Sequence, residues 1–95
     1  MGQGKENFVK VRTGKLVWHQ VGEEVMLLDL ISSNCLALNR TGAALWPLLL
    51  AGCRRGDLPL ELMERFDIDD ITAQRDAEKF LESLVGFGIL EESHG

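Results

Sequence analysis

The alternation of apolar and polar positions changes period once along this chain, and that change sets the expected architecture. Residues 15–21, KLVWHQV, are rich in β-branched and aromatic side chains, and Gly22-Glu23 supplies a turn before a second apolar run at 24–30, EVMLLDL. The two read as a hairpin. A polar break at Ser32-Ser33-Asn34 precedes a third apolar run, CLALN, ending at Asn39. Three such strands make an antiparallel meander. The middle one carries Met26, Leu28 and Leu30 on one face and Val25 and Leu27 on the other, as a central strand does.

After Asn39 the spacing becomes helical. Thr41 is the expected N-cap, with Ala44, Leu45, Leu48 and Leu49 on one face and Gly52 as the stop. Pro47 lies inside this helix, where it lacks a donor and crowds the preceding turn, which predicts a kink or a broken first turn. Residues 53–56 form a loop. Asp57 caps a second helix with Pro59 in its first turn, and Leu58, Leu62, Met63 and Phe66 supply its buried stripe. In the third helix Asp69 or Asp70 is the cap, Ala77, Phe80, Leu81, Leu84 and Val85 recur at helical spacing, and Gly88 closes the C-terminus. Ile89 and Leu90 are candidates for a short final strand. The expectation is an α+β fold, a three-stranded antiparallel sheet followed by three helices. Residues 1–14 read as a flexible basic N-terminal arm, 15–92 as the domain, and 93–95 as a frayed C-terminus.

A chain of 95 residues has room for one core, and an elaborate active site is hard to house in it. An apolar fraction of 45% with 26% charged residues is that of a soluble globular domain. No apolar run approaches the roughly 18 residues of a membrane span. The N-terminus, MGQGKENFVKVR, lacks the apolar stretch of a secretory signal, so a cytoplasmic location is the default. The formal charge of −5 argues against nucleic acid as a partner. That charge is uneven: Lys5, Lys10, Arg12 and Lys15 stand against Glu6 at the start, and the acids gather toward the end. Around the third helix Asp69, Asp70, Asp76, Glu78 and Glu82 outnumber Arg75 and Lys79, a balance that repels phosphate.

Chemistry is sparse. The histidines are His19, on a strand, and His94, near the terminus, so no nucleophile–base constellation can be assembled. Phosphate-binding glycine motifs are absent. Cys35 and Cys53 fit no metal-ligand spacing; their separation permits a disulfide, but in a reducing compartment they read rather as small hydrophobes. Neither catalysis nor a metal nor a cofactor is expected. What remains is the third strand, where residues 33–39 contain no charge and no proline. Such an edge templates pairing unless something covers it. If the third helix packs across the sheet, the two form the walls of a groove in which an extended peptide adds a strand. Coverage by the C-terminal segment or by a second copy, or service as a structural subunit completing another protein's sheet, are the competing readings.

Two segments also carry a family resemblance. Residues 27–52, LLDLISSNCLALNRTGAALWPLLLAG, resemble the "LD…LN.TG..iW.lL..G" signature of the PqqD-like family, whose members act as RiPP recognition elements. Residues 76–90, DAEKFLESLVGFGIL, resemble that family's "D…fL..L...Gll" ending. The resemblance implies a winged helix-turn-helix-like fold without catalytic residues, in which the leader of a precursor peptide adds a strand to the third strand and lies against the third helix. By position, the strand contacts would be Asn34, Cys35, Leu36, Ala37 and Leu38. The helix contacts would be Arg75, Asp76, Lys79, Phe80, Ser83 and Phe87. Leu36, Leu38, Phe80, Leu84 and Phe87 are equally open to a core reading. The Leu-Asp-Leu and Thr-Gly-Ala-Ala-Leu-Trp wording is more similar to the stand-alone proteins of lasso-peptide biosynthesis than to the quinone-cofactor branch. That likeness implies a separate cysteine-protease-like leader peptidase and an ATP-dependent cyclase as partners. The alternative is a peptide chaperone serving a radical enzyme. Pro47 and Cys35 depart from the family pattern, the second standing where an aromatic residue is frequent.

Overall fold

The computed structural model describes residues 7–94. Nine elements follow one another: β1 (Asn7–Val11), β2 (Leu16–Val21), β3 (Glu24–Asp29), β4 (Cys35–Leu38), α1 (Arg40–Ala51), β5 (Cys53–Arg54), α2 (Asp57–Arg65), α3 (Asp70–Phe87) and β6 (Leu90–His94). They build two three-stranded antiparallel sheets, ordered β2-β3-β4 and β5-β1-β6. The fold is α+β, and the expected meander is the first of these sheets.

The second sheet differs from the sequence expectation. Residues 1–6 of the expected basic arm lie outside the described residues, as does Gly95 at the other end. Asn7–Val11, however, is a strand, because Val9 and Val11 alternate with the exposed Phe8 and Lys10 and bury against α1. Its partner is the acidic C-terminal segment, residues 90–94, part of which was expected to fray. The register sets Lys10 opposite Glu91 and Val11 opposite Leu90. Opposite charges facing across a ladder stabilise the pair, so the basic start and acidic end of the chain meet as neighbouring strands. Arg55 adds to this by donating to Glu92 on β6 at 2.6 Å and to Glu78 on α3 at 3.0 Å.

The core joins both sheets to the helices. Leu27, Leu45, Leu49, Leu58, Leu62, Leu81, Leu84 and Ile89 are its largest fully buried side chains, together with Val9 and Val11. Three local expectations are corrected. Asn39, not Thr41, caps α1: its Oδ1 accepts the Gly42 N–H at 2.9 Å, while the Thr41 hydroxyl donates to that same oxygen at 3.1 Å. Pro47 does not break α1, which runs unbroken from Arg40 to Ala51. Val85, expected in the buried stripe of α3, is 62% exposed, because the buried face runs through Ala73, Ala77, Phe80, Leu81 and Leu84 and the helical turn carries Val85 round to the solvent side. Asp69 caps α3 by accepting from the Thr72 N–H, and Gly88 closes it in the left-handed conformation, φ 86°. Trp18 of β2 and Trp46 of α1 meet edge to face at 5.6 Å, fixing the meander onto α1.

Candidate functional site

The site begins with the turn that delivers β4. Asp29 is buried at the end of β3, and its Oδ1 accepts the Ile31 N–H at 2.9 Å. The Ser33 N–H donates to the Asp29 carbonyl at 2.7 Å, and Ser33 takes a left-handed φ of 65°. These bonds reverse the chain over residues 30–34 and start β4 in register. They also hold the Asp29 carboxyl below its ordinary range: the Ile31 N–H is the main cause, burial opposes it, and Ser32 and Arg12 assist.

Register then decides which way β4 presents its backbone. The Asp29 N–H donates to the Asn34 carbonyl at 3.0 Å. Alternation along an antiparallel ladder makes Leu27–Leu36 and Val25–Leu38 hydrogen-bonded pairs, and leaves Leu28–Cys35 and Met26–Ala37 as non-bonded ones. The other ladder agrees, since the Leu30 N–H donates to the Lys15 carbonyl at 2.8 Å and so turns Leu28 and Met26 toward β2. Cys35 and Ala37 therefore direct their N–H and C=O groups away from β3. On that side β4 has no strand neighbour among the described residues. The C-terminal segment, one expected cover, is instead paired with β1. Side chains alternate as well: Leu36 is half-buried and Leu38 buried, whereas Cys35 and Ala37 are exposed.

Beside this edge runs α3, and the two enclose a cleft of about 140 Å³. It is lined by Ala37, Leu38, Asp76, Lys79, Phe80 and Ser83, all expected from the sequence, and by Asn39, Thr41 and Gly42, which were not. Its floor is apolar, from Leu38 and Phe80, both members of the core as well. Its rim is polar. Ser83 donates its hydroxyl to the Lys79 carbonyl at 3.1 Å, which leaves the Lys79 ammonium and the Asp76 carboxylate on neighbouring turns. The remaining expected residues lie outside the cleft. Cys35 and Leu36 begin β4 and Asn34 ends the turn before it, Arg75 is exposed on α3, and Phe87 ends that helix packed against the core.

The missed residues form the start of α1. Asn39 is the cap and Gly42 is buried in the first turn, so the helix begins against the mouth of the cleft. One signal was available. A glycine inside a helix costs about 1 kcal/mol against alanine and so marks a close approach.

Among the described residues, no group of three or more His, Cys, Asp or Glu side chains is placed to hold a metal ion. None of their helices is long and apolar enough to cross a membrane. Cys53 is half-buried, and burial, with the Asp57 carboxylate assisting, pushes its thiol up to about 11. Cys35 is exposed on β4.

Two comparisons with known proteins bear on the chain as a whole. A solved structure described as TbiB1 in complex with the TbiA(beta) leader peptide is similar to this chain at a TM-score of 0.74 and 28% identity, covering 86% of this chain and 94% of that one. No curated protein matches. The family model described as coenzyme PQQ synthesis protein D matches residues 24–90, from the start of β3 to the first residue of β6, so this chain belongs to the PqqD family.

Proposed function

We propose that this protein captures the leader segment of a ribosomally synthesised precursor peptide by strand addition along β4, with α3 as the second wall. The observation that carries this reading is the outward backbone of Cys35 and Ala37 beside an apolar-floored cleft, on an edge with neither charge nor proline. The similarity to TbiB1, solved with a leader peptide, supplies the kind of ligand. Asn34, Cys35, Leu36, Ala37 and Leu38 contact the leader from the strand, and Arg75, Asp76, Lys79, Phe80, Ser83 and Phe87 from the helix.

The two outward residues offer four backbone groups, two donors and two acceptors. Leader side chains opposite Leu36 and Leu38 point to the α3 side, and those opposite Cys35 and Ala37 point to the outer face. The protein itself is non-catalytic and works in the cytoplasm, where the precursor is made. It presents the bound leader to a separate cysteine-protease-like peptidase, and an ATP-dependent cyclase then closes a lasso peptide.

The family description favours a second pathway, in which the same groove serves a quinone-cofactor precursor and a radical enzyme. The two readings share a binding mode and differ in the precursor. Titration of fluorescein-labelled leaders, read by anisotropy, separates them. The set comprises the TbiA(beta) leader, a quinone-cofactor precursor, and leaders of short precursors encoded beside this gene. Submicromolar to micromolar binding of a lasso-type leader is expected. Absence of binding by every peptide at high micromolar concentration overturns leader capture.

A further inference from the structure

We infer that Arg12 is a positioning residue for leader capture: its side chain ties the C-terminal end of α3 to the turn that starts β4, and so sets how far apart these two walls stand beyond the cleft. This rests on strand addition along β4 and goes on to say what holds the groove at its width. Arg12 belongs to the loop between β1 and β2, remote in sequence from both walls. Its Nε–H donates to the Gly88 carbonyl at 3.0 Å, and its backbone N–H donates to the Ile89 carbonyl at 3.0 Å. Its Nη2 stands 3.9 Å from Asp29 Oδ2, a charge contact and not a hydrogen bond. Further along the same loop, the Lys15 carbonyl accepts the Leu30 N–H at 2.8 Å. The loop is thus a strap, fixed to the end of α3 through Arg12 and to the start of the turn through Lys15.

Position along the walls gives this strap its role. On α3 the cleft lining ends at Ser83, and Gly88 lies roughly 7.5 Å further on at the rise of a helix. On β4 the lining ends at Ala37, and Asn34 lies roughly 10 Å back at the rise of a strand. There the Asn34 carbonyl accepts the Asp29 N–H at 3.0 Å, which joins the start of β4 to the residue that Arg12 faces. Both walls therefore run past the cleft by similar lengths and end at one side chain. Between the cleft and that end stand Cys35 and Leu36 on one wall and Phe87 on the other.

Capping of α3 does not account for the contact. The helix is already closed by Gly88 and Ile89, whose N–H groups both donate to the Leu84 carbonyl, at 3.0 and 3.2 Å. The carbonyl that Arg12 holds is that of Gly88 itself, past the last helical residue. Arginine also suits a tie between two points. Its planar fork aims separate N–H groups at separate acceptors, whereas the ammonium of lysine is a single compact charge. Here Nε serves the helix end and Nη2 faces the carboxylate of the turn. Loss of the fork leaves the backbone bonds of the loop in place and frees the end of α3 to shift against β4.

The test locates where along the peptide Arg12 is felt. A fluorescein-labelled lasso-type leader that binds the wild-type chain is resynthesised with each residue replaced in turn by Ala. Every peptide is titrated into wild type, Arg12→Ala and Arg12→Lys, with thermal melts alongside. Arg12→Ala should weaken the parent leader roughly three- to thirtyfold, the range for a residue that acts on a ligand without touching it. The loss should be positional. Replacements in one stretch at one end of the bound segment, the end beside Cys35 and Phe87, should cost several-fold less in Arg12→Ala than in wild type, and replacements at the other end should cost the same in both. Arg12→Lys keeps the charge beside Asp29 without the fork, so it should melt nearer to wild type and still show the one-ended pattern. It carries the test alone if Arg12→Ala fails to fold by circular dichroism. A purely structural role lowers the affinity of every peptide by one common factor; that result, or wild-type affinity in the folded variants, overturns the positioning role. Failure of every leader on the wild-type chain instead overturns leader capture itself, on which this role rests, so the two failures are told apart.

Discussion

Ala37 lies directly opposite Met26 in the β3–β4 ladder, in a pair that exchanges no hydrogen bonds, so its N–H belongs to the free edge. Proline at this position removes that N–H and adds a ring on the docking side while leaving the ladder bonds of Leu36 and Leu38 intact. Ala37→Pro should melt within a few degrees of wild type and bind leader peptide roughly tenfold more weakly or worse, from one lost hydrogen bond plus the obstruction. Leu36→Pro should do the opposite, because its N–H bonds to Leu27 and its loss strikes the fold. Thermal melts beside anisotropy titrations check both. Unchanged affinity in Ala37→Pro would reject β4 as the docking edge.

The two cysteines should part company in a labelling experiment. With its thiol pushed up to about 11, Cys53 is thiolate in only about one molecule in ten thousand at pH 7, and it is half-buried. Cys35 stands exposed on β4. Native protein treated with iodoacetamide should therefore carry one adduct, at Cys35, by peptide mass mapping. Saturation with a bound leader should slow that reaction, because an added strand flanks Cys35. Equal labelling rates with and without leader would place the peptide elsewhere.

Local pattern revealed the meander and the three helices because each depended on spacing within one segment, whereas the residues of the cleft came from the family resemblance, since no single segment shows which strand and helix meet. Phe80 in the buried stripe of α3 was legible from period, and the cap of that helix was narrowed to Asp69 or Asp70, between which only the bond from the Thr72 N–H to Asp69 decides. The second sheet was not legible in this way. It needs residues 7–11 to find residues 90–94, and the cues pointed elsewhere: Lys10 and Arg12 suggested a solvated arm, and Glu91-Glu92 a solvated tail. The alternation of Val9 and Val11 was present, yet its meaning depended on a partner more than 70 residues away. Thr41 illustrates a smaller loss. Both Asn39 and Thr41 are capping residue types, and only the bond of Asn39 Oδ1 to the Gly42 N–H decides between them.

That choice of cap can be measured. Asn39→Ala removes the side-chain acceptor of the Gly42 N–H and should cost about 1 kcal/mol, a fall in Tm of roughly 4–8 °C for a domain of this size. Asn39→Asp keeps the acceptor and adds a negative charge at the helix start, so it should melt near wild type or slightly above. Thr41→Val should change stability little, since its hydroxyl only donates to the cap oxygen. A larger loss in Thr41→Val than in Asn39→Ala would restore Thr41 as the cap.

Asp29 gives the chain a defined acid sensitivity. Its folded carboxyl is held below the ordinary value by the Ile31 N–H chiefly, with Ser32 and Arg12 assisting against burial. A group whose pKa is lower in the folded state contributes its stabilisation in full above the unfolded pKa, about 3.9, and loses it as pH falls through the folded value. Asn at this position keeps an oxygen for the Ile31 N–H but never carries the charge. The Tm of Asp29→Asn should thus lie below wild type by a constant amount between pH 5 and 8, and the gap should close as both are taken below about pH 4. Because the same carboxylate sets the turn that starts β4, leader affinity in Asp29→Asn should fall with the stability rather than independently of it. A gap that persists at pH 2 would mean that shape, not charge, is what Asp29 supplies to the turn.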